Sequence, residues 1–365
     1  MRIGIDGRAL RAGREPRGVA VYLERLLREL ARLHPEDDYR VLVPGGARPG
    51  ALPEGVEVRA GARSGRALHG AAAILRRPRL DRVLGRPELV WIPAPAPVAL
   101  SRGAAYVLTV HDLSFVHRPR DFSAYERLWH RLARPRRLAR GAARVLTDTE
   151  HVRGELIDEW GLPAKRVRAV LPGPGRAGAS HETGAEGAAS VGAGAEPHVL
   201  AVGALEPRKL PLLLVRAHAR ARERGLRAGL VFAGDGPLRA ELEASGATVL
   251  GYLSDADLDA AYGRALCLAC ASREEGFGFT PLEALAAGVP PVVSDLPVFA
   301  ETLGGAAALR VPVGDVEALA DALLRLEREP ELRARLVEAG RARLNELSWE
   351  RTARETRAAF EEALG

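Results

Sequence analysis

The sequence predicts an α/β protein made of two Rossmann-like domains, each a doubly wound parallel sheet, facing each other across an interdomain cleft. Three observations carry this. Short apolar runs alternate with helical patterns through both halves of the chain, which calls for parallel strands joined by crossover helices. The runs end in loops bearing glycine, proline or charge, at the edge where doubly wound sheets bind ligands. Between the halves, residues 174–197 replace large apolar side chains with Gly, Ala, Ser and Glu, from which no core can be built. At 365 residues the chain exceeds one ordinary core. The expected domains are 1–173 and 198–347, with 174–197 as a flexible linker and a cleft between them as the natural place for a ligand.

The elements follow in order. Arg2–Asp6 reads as a strand running into a loop punctuated by Gly7, Gly13 and Gly18. Val21, Leu23, Leu26, Leu27 and Leu30 then mark a helical face. Tyr39–Val43 is a second strand, and the Gly/Pro/Arg-rich residues 44–66 read as loop. Leu89–Ile92 and Ala105–Val110 are buried strands, the latter ending at His111-Asp112. A helical, arginine-laden stretch is expected over about 122–141, a strand over Arg144–Thr147, a helix over Glu150–Trp160 and a strand over Val167–Leu171.

The second series of strands is Val199–Val202, Leu230–Ala233, Thr248–Leu250, Leu266–Ala271, Pro291–Ser294 and Ala308–Val311. Helices are expected near 210–225, 237–245, 255–263, 281–287, 296–303, 315–328 and 331–345, with a polar amphipathic helix from Ser348 to Leu364. Ser254 to Asp257 fits a capping box, and Gly288 suits a helix C-cap.

Composition narrows the function classes. The formal charge of +6 is modest, yet of 53 basic residues only Lys165 and Lys209 are lysines. In so arginine-rich a chain Lys209 stands out, although chance accounts for it as simply. Cys267 and Cys270 form a CxxC, which invites a redox or metal reading. The run reads as a buried strand, however, where positions three apart point to opposite faces, so ordinary core cysteines are expected. The histidines show no paired ligand spacing and no Asp-x-Asp stands at a strand end, so neither metal nor cofactor is expected. No signal peptide and no bilayer-spanning run is visible, which gives a cytoplasmic expectation and no nucleic-acid partner. Arginine clusters at 76–86 and 131–140 read first as solvated surface and second as a peripheral contact with anionic lipid at the inner face of the membrane.

The residues that could do chemistry gather at strand ends. Glu275 and Glu283 bracket Gly276-Phe277-Gly278-Phe279-Thr280-Pro281, with Pro281 tolerated in the first turn of the helix that the loop opens. The glycines allow close backbone approach, and a helix N-terminus offers free N–H groups to an anion. Acceptor carboxylates around donor amides suit a molecule with hydroxyls and phosphates, such as a nucleotide sugar. Arg208 and Lys209, after Glu206-Pro207, open the next helix at the end of the second domain's first strand and suit a diphosphate. The blander readings are surface charge for these four and a structural role for His111. Gly18 is a tight turn or a close approach to a ligand. Gly234-Asp235-Gly236-Pro237 reads mainly as a turn.

Together these motifs resemble glycosyltransferase family 4, the retaining transferases of GT-B fold. The likeness rests on Glu275–Glu283 within Glu-Gly-Phe-Gly-Phe-Thr-Pro-Leu-Glu, on Val202–Lys209, on Thr109–Phe115, on Gly251–Asp255 and on the closing Ser348-Trp349-Glu350 helix. It implies that this helix, about 348–365, crosses back to complete the first domain. It also implies that Glu275 contacts the transferred sugar and Glu283 the ribose. Arg208 and Lys209 would hold the diphosphate, while the amides of Phe277, Gly278, Phe279 and Thr280 line sugar and phosphates. Tyr252 and Leu253 would lie by the base, His111 over the reacting sugar, and Gly18 near the diphosphate. Leu210 stands where the family often has Asn, Pro172-Gly173 where it has Asn-Gly, Thr149 for serine and Ile92 for histidine.

The implied reaction is metal-independent transfer of a hexose or deoxyhexose, first mannose from GDP-mannose, to a cell-surface glycan or lipid-linked oligosaccharide in polysaccharide biosynthesis. Closure about the linker would exclude water. Two alternatives stay open: a GT-B nucleotide-sugar epimerase, and a non-catalytic nucleotide-sugar-binding partner in glycan assembly. A Rossmann dehydrogenase lacks its glycine fingerprint.

Overall fold

Seven parallel strands form one sheet and six form another. The computed structural model describes residues 1–10, 18–44, 52–61, 65–175 and 197–365, so Gly13 and most of the expected linker lie outside the described residues. Two units result, Met1–Gly173 with Leu347–Gly365, and Pro174–Glu346.

The first unit runs β1 (Arg2–Asp6), α1 (Gly18–Leu33), β2 (Asp38–Pro44), β3 (Glu57–Gly61), α2 (Gly65–Leu75), α3 (Leu80–Val83), β4 (Leu89–Ile92), β5 (Tyr106–Thr109), α4 (Ser114–His117), α5 (Ala124–Ala133), α6 (Pro135–Gly141), β6 (Arg144–Thr147), α7 (Glu150–Trp160) and β7 (Val167–Ala169). Strand order is β3-β2-β1-β4-β5-β6-β7. All four residues of β4 are buried, as a central strand covered on both faces requires. In α1 the apolar stripe Leu23, Leu26, Leu27 and Leu30 is fully buried.

The second unit runs β8 (His198–Val202), α8 (Pro211–Glu223), β9 (Gly229–Ala233), α9 (Arg239–Ala244), β10 (Thr248–Gly251), α10 (Asp255–Gly263), β11 (Ala265–Cys270), α11 (Phe279–Ala286), β12 (Pro291–Ser294), α12 (Pro297–Leu303), β13 (Leu309–Val311), α13 (Val316–Arg328) and α14 (Pro330–Glu346). Its order is β10-β9-β8-β11-β12-β13. Leu213, Leu214, Phe232, Leu319 and Leu323 pack in one buried cluster, and Leu200, Tyr262, Leu268 and Val289 in another. The order of strands reverses between β8 and β11, the crevice where such sheets bind ligands.

The last helix, α15 (Trp349–Leu364), belongs to the first unit. It buries Phe360 against Trp91 at 5.7 Å between ring centres, worth roughly 1.5–3 kcal/mol for one such side chain. Its Arg357 reaches the fully buried Asp37 carboxylate at 2.9 Å, and Thr352 Oγ1 donates to the Leu171 carbonyl at 2.9 Å.

Three expectations need correction. Residues 44–66 are not all loop, because Glu57–Gly61 pairs with β2 as an edge strand and α2 starts at Gly65. The arginine-laden helical stretch over 122–141 is two helices, with Arg134 at φ +48° before Pro135. Proline cannot take the interior hydrogen bond and disfavours helical geometry in the residue before it. Finally, Arg208 and Lys209 do not open α8. They form their own 3₁₀ turn, Pro207–Lys209, and Leu210 reverses the chain at φ +51° before Pro211 begins the helix.

Candidate active site

The geometry is built at the C-terminal ends of β8 and β11. Lys209 Nζ donates to Glu275 Oε1, and Ser272 Oγ donates to the same oxygen at 2.7 Å. Arg208 Nε donates to Glu206 Oε2 at 3.1 Å. The two loops are joined by backbone, since Arg273 N–H donates to the Arg208 carbonyl at 2.8 Å. The Glu275 side chain is 9% exposed, against 23% for Lys209 and 19% for Arg208. Burial alone would raise the Glu275 pKa. The Lys209 and Arg208 charges, with hydrogen bonds from Lys209 and Ser272, overcome it and hold the carboxyl below its usual range. The site is thus an ionised acid tied to cations whose outer faces remain reachable.

A second loop braces this one. Gly203 N–H donates to the Ala233 carbonyl at 2.9 Å, Leu205 N–H to the Asp235 carbonyl at 3.0 Å, and Leu238 N–H to the Leu205 carbonyl at 3.1 Å. A Cβ on Gly236 would come within 2.6 Å of the Leu205 carbonyl oxygen, and one on Gly234 would strike the Gly203 carbonyl. The Gly234-Asp235-Gly236 turn is therefore also a backbone splint for the Arg208–Lys209 loop, which the sequence reading missed.

The Glu275–Glu283 segment winds into α11. Gly278 has φ +87°, and a Cβ there would meet Phe299 at 2.5 Å, so only glycine fits. Phe277 is buried and packs edge-on against Phe279 at 4.8 Å. Phe279 and Thr280 occupy the first two positions of α11, followed by Pro281. Glu283 lies half-buried one turn further, with Gly175 against its carboxylate. Tyr252 and Leu253 follow β10 at the same edge of the sheet, and Tyr252 is half exposed.

His111 and Gly18 belong to the first unit. His111 Nδ1 pairs with Asp148 Oδ2 at 2.8 Å, and Nε2 faces the Pro93 carbonyl at 2.8 Å. Both ring nitrogens therefore have partners within the chain. Burial would lower the His111 pKa, but the Asp148 charge and hydrogen bond outweigh it and raise the value. The pair shares one proton, whichever atom carries it. Tyr22 packs edge-on against His111 at 4.8 Å and against Trp91 and Trp349 at 6.3 and 5.9 Å, which fixes the ring. Gly18 opens α1, and a Cβ there meets no described atom within 4 Å.

Ser272 and Asp148 were not singled out from the sequence, though each lies just past a strand, which was the available signal. Of the two cysteines, Cys267 is a core residue as expected. Cys270 instead borders the site, with Sγ 3.9 Å from Glu275 Oε1, and its thiol pKa is raised by burial and by that carboxylate. Both are free. Among the described residues, the His117, Glu155 and Glu159 ligand atoms lie within 4.8 Å of one another, a grouping sequence spacing did not reveal. The His117–Glu159 ion pair at 2.9 Å accounts for it, and it lies in the first unit. Two of the departures have local reasons. Thr149 caps α7 by accepting from the Val152 N–H at 3.3 Å, as serine would, and Ile92 is wholly buried. Among the described residues, no helix is long and apolar enough to cross a membrane.

Comparison with known proteins gives the family and the fold. The family model Glycosyltransferase Family 4 matches residues 16–173, and Glycosyl transferases group 1 matches residues 188–343. A D-inositol 3-phosphate glycosyltransferase of Saccharomonospora viridis is 33% identical over 232 residues, 58% of this chain and 53% of that protein. An alpha-D-kanosaminyltransferase of Streptomyces kanamyceticus is 30% identical over 258 residues, 66% of this chain and 67% of that one. A phosphatidyl-myo-inositol mannosyltransferase of Mycobacterium leprae is 43% identical over 103 residues, 27% of each. The chain thus spans little more than half the length of the first of these relatives. The fold matches Anabaena HepE, solved with UDP and glucose, at a TM-score of 0.70 and 17% identity over 99% of both chains.

Proposed function

The chain belongs to glycosyltransferase family 4, and on that premise we propose that it is a retaining, metal-independent hexosyltransferase. It moves a hexose or deoxyhexose from a nucleotide-diphosphate sugar to a cell-surface glycan or lipid-linked oligosaccharide. The observation that carries this reading is the ionised Glu275 tied to Lys209 and Ser272 beside Arg208.

Leaving-group departure puts negative charge on the diphosphate and positive character on the anomeric carbon. Arg208 and Lys209, with the N–H groups of Phe279 and Thr280, stabilise the first by fixed electrostatics. Lys209 turns from Glu275 toward the diphosphate, and Glu275 then accepts a hydroxyl of the sugar. Glu283 holds the ribose, Tyr252 and Leu253 lie by the base, and Phe277 and Gly278 shape the loop. His111 is assigned to the sugar and Gly18, which opens α1, to the diphosphate. Attack comes from the face the leaving group departs, with the phosphate taking the acceptor's proton.

Mannose from GDP-mannose is the first donor assignment, supported by the Glu206–Lys209 sequence and by the mannosyltransferase relative. A peripheral contact with anionic lipid fits α5, whose Tyr125, Leu128 and Leu132 project at helical spacing beside Arg127 and Arg131.

A transfer assay across GDP-, UDP-, dTDP- and ADP-sugars tests the donor. Turnover only with a UDP- or dTDP-sugar excludes mannose from GDP, and formation of an epimer from donor alone identifies an epimerase instead. Glu283→Ala is expected to weaken donor binding by calorimetry; unchanged affinity removes its ribose role.

A further inference from the structure

A concavity in the second unit lies at the end of its sheet opposite Arg208, Lys209 and Glu275. It measures about 860 Å³ and is lined by Pro197, by Arg264, Ala265 and Leu266, by Gly288 and Pro290, and by one face of α14. Pro197 precedes β8, Ala265 begins β11, and Pro290 precedes β12. Because the strands are parallel, these N-terminal ends share one edge, and Arg208, Lys209 and Glu275 follow the opposite ends. β11 has six residues, so the two edges are separated by roughly 15–20 Å at about 3.3 Å per residue.

We propose that this cavity of the second unit binds a phosphorylated small molecule carrying a ring or other apolar body. Three features set the ligand's chemistry. The first is charge: Arg264, Arg333, Arg335 and Arg341 line the cavity against a single acid, Glu338. Glu338 sits 3.7 Å from Arg341, with both side chains more than half exposed, a contact too loose to neutralise the guanidinium. Arg333 donates through Nη1 to the Leu326 and Glu327 carbonyls at the end of α13. It is thereby held in place with further N–H donors to spare. Planar guanidinium groups are matched to phosphate oxygens.

The second feature is the floor. Ala265, Leu266, Pro290, Ala334 and Val337 offer apolar surface next to the arginines, and the volume is that of a small-molecule pocket. The third is the rim. A lipid surface is gripped by projecting apolar side chains, and among the described residues the exposed large apolar side chains of the second unit, Tyr252 and Val313, do not line this cavity. A soluble ligand therefore fits better than a membrane.

The inference stands apart from the donor site and survives or fails independently of it. The test is calorimetric titration of the full chain with 1-naphthyl phosphate, in the wild type, in Lys209→Ala and in the double variant Arg335→Ser/Arg341→Ser. Both arginines are exposed, so an unchanged melting temperature certifies folding. The double variant is expected to bind at least about tenfold more weakly, the loss typical of hydrogen bonds to a charged group. Lys209→Ala is expected to retain this binding event. Inorganic phosphate, which lacks the ring, is expected to bind more weakly. Binding that is indifferent to the double variant, or that vanishes with Lys209→Ala, overturns the proposal. So does arginine-dependent capture by phosphatidylglycerol vesicles with no binding of naphthyl phosphate.

Discussion

Each unit ends a pair of neighbouring strands in a basic side chain tied to a carboxylate, yet the two acids are held differently. The bases are similarly exposed, 18% for His111 against 23% for Lys209 and 19% for Arg208. In the first unit Asp148 takes one contact, from His111, and burial raises its carboxyl above the usual range. In the second, Glu275 accepts from Lys209 and Ser272 with Arg208 nearby, and its carboxyl lies below the usual range despite burial. The difference teaches that the charge state of a buried acid follows from how many donors and cations it collects rather than from how far its partner is exposed.

The contrast extends to pH. His111 has a folded pKa above its ordinary 6.5, so its contribution to stability is complete below that value and is lost as pH rises through the folded value. Glu275 has a folded pKa below its ordinary 4.5, so its contribution is present above that value and is lost as pH falls through the folded one.

The largest expected effect breaks the His111–Asp148 pair. Asp148→Ala leaves a buried histidine without its counter-charge and is expected to cost about 3–5 kcal/mol, read by chemical denaturation. It should also flatten the fall in stability between neutral and mildly alkaline pH. If that slope persists unaltered, the proton is not held by this pair. Next comes the Lys209–Glu275 pair. Lys209→Ala is expected to lower sugar transfer by roughly 100- to 1,000-fold, the cost of one fixed electrostatic donor. It should also raise the pH below which the second unit loses stability, since Glu275 then titrates nearer its ordinary value. A rate within a fewfold of wild type would remove Lys209 from the reaction. The smallest effect sharpens the frame around Asp148. Thr149→Ala is expected to cost about 1 kcal/mol by uncapping α7, whereas Thr149→Ser should be nearly neutral in thermal melts.

Much of the framework was legible because it is local. The strand over Arg2–Asp6 and the helix over 255–263 have the predicted bounds, and the other strands of the second unit lie within about one residue of theirs. Apolar runs and capping residues carry that information. β3 was not legible, since Glu-Val-Arg-Ala-Gly offers little apolar surface and acquires its state only by pairing with β2. Pro135 marks the break between α5 and α6, which the reading of 122–141 as one helical stretch did not resolve. The loops bearing Arg208, Lys209 and Glu275 could be placed at strand ends from sequence. That Gly236 lies against the Leu205 carbonyl could not, because that contact joins segments far apart in the chain; that Ser272 donates to Glu275, three residues on, depends on the loop conformation, which residue types alone do not fix. Leu210 shows a further limit. Its φ of +51° is a conformation asparagine adopts more readily than leucine, which gives the family's usual residue at that position a backbone rationale.

The aromatic cluster around Tyr22 has an optical consequence. All four tryptophans, Trp91, Trp129, Trp160 and Trp349, lie in the first unit, and the second has only Tyr252 and Tyr262 besides its phenylalanines. Emission excited at the red edge of the indole band therefore watches one unit alone, while far-ultraviolet ellipticity sums both. Overlaying the two signals during heating separates the melting of each half without any label.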